Sequence, residues 1–304
     1  MKSLIQIIKE AEKNRTAIGH FNISNLEGLK AIFEAAKELN LPVIIGTSEG
    51  ERDFIGTWQA AALIKSLREE FSASGGFPIF LNADHTRSLE KVKESLEAGY
   101  DMVHFDGSLL PYEENIKRTK EAADYIRQST VNSQQSTVIV EGELGYLRGS
   151  SELHKEPIEI KEEDLTKPEQ AKDFIEKTGV DLLAIAVGNI HGIIARTNAD
   201  WTRTDAENPP LNIKKIREIK KLVKVPLVLH GGSGIPNEEI SAAIEAGISI
   251  IHINTELRLA WRRGLERAFK EMPEEIAPYK ILPSAIEEMK EITREKLKLF
   301  NRLV

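Results

Sequence analysis

Six short apolar runs in this chain each finish on side chains that can bind a metal, carry a proton or hold an anion. Asp84-His85 ends one, Asp106-Gly107-Ser108 the next and Glu141-Gly142-Glu143 a third. His191-Gly192 follows a fourth, His230-Gly231-Gly232-Ser233-Gly234 ends a fifth and Asn254-Thr255 a sixth. His85, His191 and His230 have the makings of a catalytic zinc site. Three neutral imidazoles leave one coordination position open, and the ion acts there as a Lewis acid on a carbonyl or alkoxide. Asp84 adjoins His85, and where the chain turns at a strand end both side chains can reach the same space. One then binds metal while the other moves a proton. His230–Gly234 leads through Ile235-Pro236 into a helical stretch, Asn237–Ala246. Backbone N–H groups at such a turn cradle a phosphate, and Asn254-Thr255 would complete that site. Each feature has a plainer reading. A single strand-end histidine is more often hydrogen-bonded than metal-bound, Asp106-Gly107-Ser108 suits a turn and N-cap before Glu113–Gln128, and a Gly-rich stretch can be a simple β–α turn. The signal is their segregation to equivalent ends.

The elements that would position them alternate regularly. β-Branched runs at Thr16–Asn22, Val43–Thr47, Ile79–Asp84, Met102–Asp106, Thr137–Glu143, Leu182–Val187, Leu227–His230 and Ile250–Asn254 read as eight strands. Helical patterns such as Leu26–Leu39, Trp58–Phe71, Leu89–Ala98 and Glu113–Gln128 separate them. Such alternation implies parallel strands with helices outside. Eight repeats favour a closed (β/α)8 TIM barrel over a doubly wound sheet, which would need a Gly-rich loop after the first strand. We expect one α/β domain over residues 1–304, with long loops at Leu144–Thr166 and Gly188–Leu211 and a helical C-terminal extension from Met272. In a barrel, the loops after the strands build the active site, and phosphates commonly sit after strands seven and eight. Of the other histidines, His20 and His104 lie inside strands and are expected to pack, His154 falls in a long loop where it can be solvated, and His252 lies two residues before the last strand's end.

Composition excludes much else. The chain has no cysteine, which removes disulfides, thiolate catalysis and Cys-held zinc. A net charge of −7 argues against a nucleic-acid partner. No window approaches the ~18 apolar residues of a membrane span, and the N-terminal apolar residues recur at helical spacing, unlike a signal peptide. A cytoplasmic enzyme is the expectation. No lysine falls in any of the eight strands, so a strand-end Schiff base is absent.

From Ala17-Ile18-Gly19-His20-Phe21-Asn22 to the last helix, the chain resembles the class II aldolases of the fructose-bisphosphate and tagatose-bisphosphate type. The blocks that carry the resemblance are Ala83-Asp84-His85, Phe105-Asp106-Gly107-Ser108, Val140–Gly145, Val187–Gly192 and Val228–Gly234. The resemblance implies His85, His191 and His230 as Zn2+ ligands and Asp84 as the acid/base serving the aldehyde oxygen. Asp106 and Glu143 match positions able to hold a second or displaced zinc. Gly192, Gly231, Gly232, Ser233 and Thr255 match the dihydroxyacetone phosphate site, and Asn22 a residue near the enediolate. Ser48, His252 and Asn254 are grouped with them on the substrate side. The family also implies a monovalent cation, Na+ or K+, near the phosphate, and a homodimer or homotetramer. There are departures. Family members usually carry Asn at His252, fructose-type members often carry Asp at Asn254, and Asn82–Thr86 is worded differently. These bear on which sugar is preferred. The loop Thr197–Pro210, with Trp201 and Arg203, is a candidate reach to a second phosphate.

The expected reaction is reversible aldol cleavage of a ketose 1,6-bisphosphate, fructose 1,6-bisphosphate foremost, to dihydroxyacetone phosphate and glyceraldehyde 3-phosphate. A tagatose bisphosphate or another ketose phosphate is the alternative substrate. Two rivals of other classes are a metal-dependent hydrolase on the same barrel and a non-catalytic sugar-phosphate sensor. The first often has a His-x-His pair on strand one, where this chain has only His20.

Overall fold

A computed structural model describes residues 2–72, 78–132, 138–194 and 208–303. Among the described residues ten strands form: β1 (Ile18–Asn22), β2 (Val43–Thr47), β3 (Ile79–Thr86), β4 (Met102–Phe105), β5 (Ile139–Leu144), β6 (Gly149–His154), β7 (Leu182–Ile185), β8 (His191–Ile194), β9 (Leu227–Leu229) and β10 (Ile248–Ile253). Eight of them close a barrel in the order β1-β10-β9-β7-β5-β4-β3-β2, every pairing parallel. This is the (β/α)8 architecture expected, with helices between the strands. The two long loops hold more order than their sequences suggested, because β6 and β8 pair there as a separate two-stranded parallel sheet. The expected start of strand five at Thr137 lies outside the described residues.

Strand residues sort into two apolar clusters by alternate phase. Phe21, Val43, Ile45, Leu81, Val103, Val140, Leu183, Leu229 and Ile251 face out and pack under the helices. Ile18, Ile44, Met102, Ile139, Leu182, Val228 and Ile250 face in and form the barrel floor, with Phe80 against them. The helix Leu4–Asn14 closes that floor from below, placing Leu4, Ile7, Ile8 and Ala11 in the inner cluster. The period-2 pleat then fixes what lies above. Two residues on from the floor, the inward positions are His20, Gly46, Asn82, His104, Glu141, His230 and His252. Two further on they are Asn22, Asp84, Asp106 and Glu143. TIM-barrel interiors are ordinarily filled by layers of Val, Ile and Leu. Here the upper layers are polar, and they are buried: His20, Asn82, His104 and Glu141 have no exposed surface.

The C-terminal extension is helical, as expected. Its segments Pro278–Ile281 and Pro283–Phe300 each begin on a proline, which costs no hydrogen bond at a helix start.

Candidate functional site

Asp84 is in the inward phase of β3, so His85 should point out. It does not, because His85 adopts φ +44°, a left-handed backbone that swings its ring back over the barrel mouth. The turn is held from two sides. His104 Nδ1 accepts the His85 backbone N–H at 3.1 Å. The buried Arg52 guanidinium donates to the Asp84 carbonyl at 3.1 Å and to Thr86 Oγ at 2.9 Å. Because its Nδ1 lone pair is thus engaged, His104 fixes the turn instead of offering that atom to an ion. Its Nε2 faces Glu143 at 3.1 Å.

His85 Nδ1 lies 2.9 Å from Asp106 Oδ2, which Arg87 also contacts at 3.2 Å. Asp106 Oδ1 takes the Ser108 N–H and O–H. Burial pushes the Asp106 carboxyl up, but the bond to His85 and the imidazole charge outweigh it and hold the group well below the usual carboxylate range. Burial likewise pulls His85 down, yet the Asp84 charge and the Asp106 bond raise it to about 9. His230 Nε2 lies 2.7 Å from Glu141 Oε1, whose carboxyl burial lifts to about 7 against the pull of His104.

Asp106 and Glu141 accept from His85 Nδ1–H and His230 Nε2–H, which turns the other two ring nitrogens, His85 Nε2 and His230 Nδ1, toward each other at 3.3 Å. In the metal-free protein the proton that His85 holds bridges them, and a metal ion would take its place between two lone pairs. Ligand atoms about 2.0–2.1 Å from a tetrahedral zinc stand roughly 3.3 Å apart, so the pair fits that ion. The carboxylates behind both rings are the partners that orient metal-bound histidines. Ligand atoms of Asp84, His85, His104 and His230 converge within 4.8 Å. His191 opens β8 beside this group, its ring 4.9 Å from that of His85 and 6.3 Å from that of His230. Burial holds His191 well below the ordinary imidazole range, leaving it neutral as a ligand must be. His154, in the long loop, approaches the His191 carbonyl with Nε2 at 2.8 Å and pins the start of β8. His85, Asp106 and Glu143 form a further grouping with metal-ligating atoms.

Asp84 Oδ2 accepts Asn22 Nδ2–H at 3.0 Å. Burial would raise its pKa, but His85 and the surrounding imidazoles hold it well below the carboxylate range, so Asp84 is a carboxylate. Asn22 also donates to Glu51 Oε2 at 2.9 Å. Glu51 takes the Ser48 N–H at 2.8 Å, Arg258 at 2.8 Å and Asn254 Nδ2 at 3.3 Å. One buried carboxylate thereby ties the ends of β1, β2 and β10 together.

The Gly-rich turn after β9 requires its glycines. Gly231 has φ +63°, and a Cβ there would lie 2.0 Å from the Ile190 carbonyl oxygen. Ser233 Oγ accepts the Asn254 and Glu256 N–H groups at 3.3 and 3.2 Å, joining this turn to the helix Thr255–Glu271. Gly232 N–H donates to the His252 carbonyl at 3.0 Å.

A cleft at this end of the barrel is lined by Asn22, Ser48, Asp84, His85, His191, Gly192, His230, Gly231, Ser233, His252, Asn254 and Thr255, joined by Ser151 and Arg258. Asp106 and Glu143 stand behind His85, and Gly232 is turned into the backbone. Residues 197–207 of the candidate phosphate-reaching loop, Trp201 and Arg203 included, lie outside the described residues. Sequence reasoning missed three groups that the fold brings to the site: His104, Glu51 and Arg258. Strand phase would have revealed the first. Glu51 and Arg258 sit on helices after strand ends, with no local pattern to mark them.

Residues 2–303 match the family model described as Fructose-bisphosphate aldolase class-II. A fructose-bisphosphate aldolase of Staphylococcus aureus is 33% identical over 301 residues, 98% of this chain and 96% of that protein. A 6-phospho-5-dehydro-2-deoxy-D-gluconate aldolase of Bacillus licheniformis is 34% identical over 299 residues, covering 98% and 94%. Among solved structures, the YdjI aldolase of Escherichia coli K12 superposes with a TM-score of 0.77 at 30% identity, over 98% of this chain and 96% of that one.

Proposed function

The chain belongs to the class II fructose-bisphosphate aldolase family, and from that premise we propose that it cleaves fructose 1,6-bisphosphate reversibly to dihydroxyacetone phosphate and glyceraldehyde 3-phosphate, with Zn2+ at His85, His191 and His230. The observation that carries the reading is the pair of imidazole nitrogens facing each other at 3.3 Å, each backed by a carboxylate, beside a buried Asp84 carboxylate. A zinc ion held there supplies Lewis acidity to the ketose carbonyl and stabilises the negative charge that develops as the carbon–carbon bond breaks.

The protein's own groups do the rest. The dihydroxyacetone phosphate half binds with its phosphate at the Gly231–Ser233 turn and Gly192, against backbone N–H groups. Asp84 accepts the C4 hydroxyl proton in cleavage and returns it to the aldehyde oxygen in condensation. Asn22, bonded to Asp84 and Glu51 at once, holds that carboxylate toward the cleft. Asp106 and Glu143, whose ligand atoms group with His85, would retain a second or displaced zinc. His252 and Asn254 line the cleft where the sugar chain extends and bear on the choice of sugar.

A second substrate has a specific basis, since the relative named for 6-phospho-5-dehydro-2-deoxy-D-gluconate is as similar as the fructose-bisphosphate enzyme. Steady-state kcat/KM on fructose, tagatose and sedoheptulose bisphosphates and on that phosphogluconate derivative tests the assignment, with metal content assayed. We expect fructose 1,6-bisphosphate to give the highest value. A higher value for any of the others reassigns the substrate, and no cleavage of any phosphorylated ketose by the zinc-loaded protein overturns the reading.

A further inference from the structure

We infer that Glu51 is a specificity-determining residue, because its carboxylate occupies the donors that an anion at the far end of the sugar would need and so counts against a second phosphate. Within the aldol reading, on which this rests, Glu51 narrows the substrate class by charge. Glu51 is 5% exposed and lies in the first turn of the helix Glu49–Ile55. It accepts from four groups at once. Oε2 takes Asn22 Nδ2–H at 2.9 Å and the Ser48 N–H at 2.8 Å, and Oε1 takes Arg258 Nη2–H at 2.8 Å and Asn254 Nδ2–H at 3.3 Å. All four donors belong to residues that line the cleft.

A helix cap accounts for only part of this. In the capping box of its helix, Glu51 needs just the Ser48 N–H. The other donors come from the ends of β1 and β10 and from the helix Thr255–Glu271. Two amides, a backbone N–H and a guanidinium around one pair of oxygens are the groups that hold a phosphate or a carboxylate. Their place suits the far half of the sugar. Asn22 Nδ2 also donates to Asp84 Oδ2 at 3.0 Å, so the donors adjoin the group that serves the C4 hydroxyl. They follow β1, β2 and β10, whereas the turn assigned to the first phosphate follows β9. Charge then decides. Among the described residues that line the cleft, Arg258 is the only lysine or arginine, and it is engaged by Glu51 and by the Ser151 carbonyl at 2.9 Å. A second phosphate must displace the carboxylate from its donors or sit beside a fixed negative charge, and a neutral hydroxylated chain does neither. Like charges set together are a usual device for refusing a ligand.

The test compares ligands that differ only in the far phosphate. kcat/KM for fructose 1,6-bisphosphate and for fructose 1-phosphate is measured on the zinc-loaded full-length wild type, Glu51→Gln and Glu51→Ala. Affinity for glucitol 1,6-bisphosphate and glucitol 1-phosphate, which cannot be cleaved, is measured by calorimetry on the same three proteins. In the wild type the two fructose esters are expected to lie within about tenfold of each other. In both variants the ratio of bisphosphate to monophosphate is expected to rise about tenfold or more, through KM in the kinetics and equally in affinity. Glu51→Gln keeps the side chain's size and one acceptor oxygen, so it removes the charge without removing the tie. An unchanged ratio in both variants overturns the inference, even where both esters lose rate together, because Glu51 would then be a structural tie alone. So does a wild-type preference for the bisphosphate of about a hundredfold or more. If no ester is cleaved but the affinity ratio rises, the aldol reading falls and selection by charge stands. If both esters are cleaved and neither ratio moves, the reverse holds.

Discussion

At the residue scale the site depends on a conflict of phase. Asp84 points inward by the pleat, and His85 reaches the same cleft only because its backbone is left-handed, a conformation uncommon outside glycine. Adjacency of an acid and a ligand in sequence thus becomes adjacency in space. Asp84→Ala, loaded with zinc, is expected to lose about 10²–10⁴-fold in retro-aldol kcat, the usual worth of a positioned proton-transfer group. Cleavage at the wild-type rate would sink its role. His85 carries a testable pH signature. Its pKa is raised to about 9, so the metal-free protein holds a proton there at neutral pH, and a metal must displace it. Zinc uptake at pH 7 should release this proton, with affinity rising about tenfold per pH unit until near pH 9. Titration calorimetry in two buffers of different ionisation enthalpy measures the release, and identical heats in both would refute it.

At the element scale, strand ends were legible because their chemistry interrupts otherwise apolar runs. All eight barrel strands were identified near their observed positions, and the Gly231–Gly234 turn was matched to the helix it precedes. The polar layer beneath was not read as part of the site. A barrel strand is buried on both faces, so alternate residues carry no hydrophobic-versus-polar contrast to announce which point inward. His20 and His104 therefore read as packing residues until the floor residues Ile18 and Met102 fixed the phase. Contacts between elements were also beyond sequence reach. Glu256, on the helix after β10, accepts the Gly234 N–H at 2.8 Å and pairs with Lys296 of the last helix at 2.9 Å, both side chains nearly buried. Lys296→Met leaves that carboxylate unpaired, and breaking a buried pair costs about 3–5 kcal/mol. Denaturant unfolding should show a loss of this order, and KM for the phosphorylated ketose should rise more than kcat falls. An unchanged KM would mean that the tie does not position the turn.

At the scale of the whole molecule, the barrel separates stability from chemistry. The N-terminal helix plugs one end with Leu4, Ile7 and Ile8, while the cleft opens at the other. Ile8 is fully buried, and Ile8→Ala is expected to lower unfolding free energy by about 2–5 kcal/mol while leaving kcat of the folded enzyme unchanged. A large fall in kcat would show that the floor transmits to the site. The plug helix was foreshadowed by the helical spacing of its apolar residues, but its docking against the inner cluster was not, since that depends on barrel closure.

The facing imidazole nitrogens of His85 and His230 make metal dependence the central claim. Fructose 1,6-bisphosphate cleavage should be assayed before chelation, after exhaustive removal of metal, and after return of one to two equivalents of Zn2+. The account predicts loss of cleavage on chelation and its recovery with zinc. Undiminished cleavage by protein shown to be metal-free would contradict it.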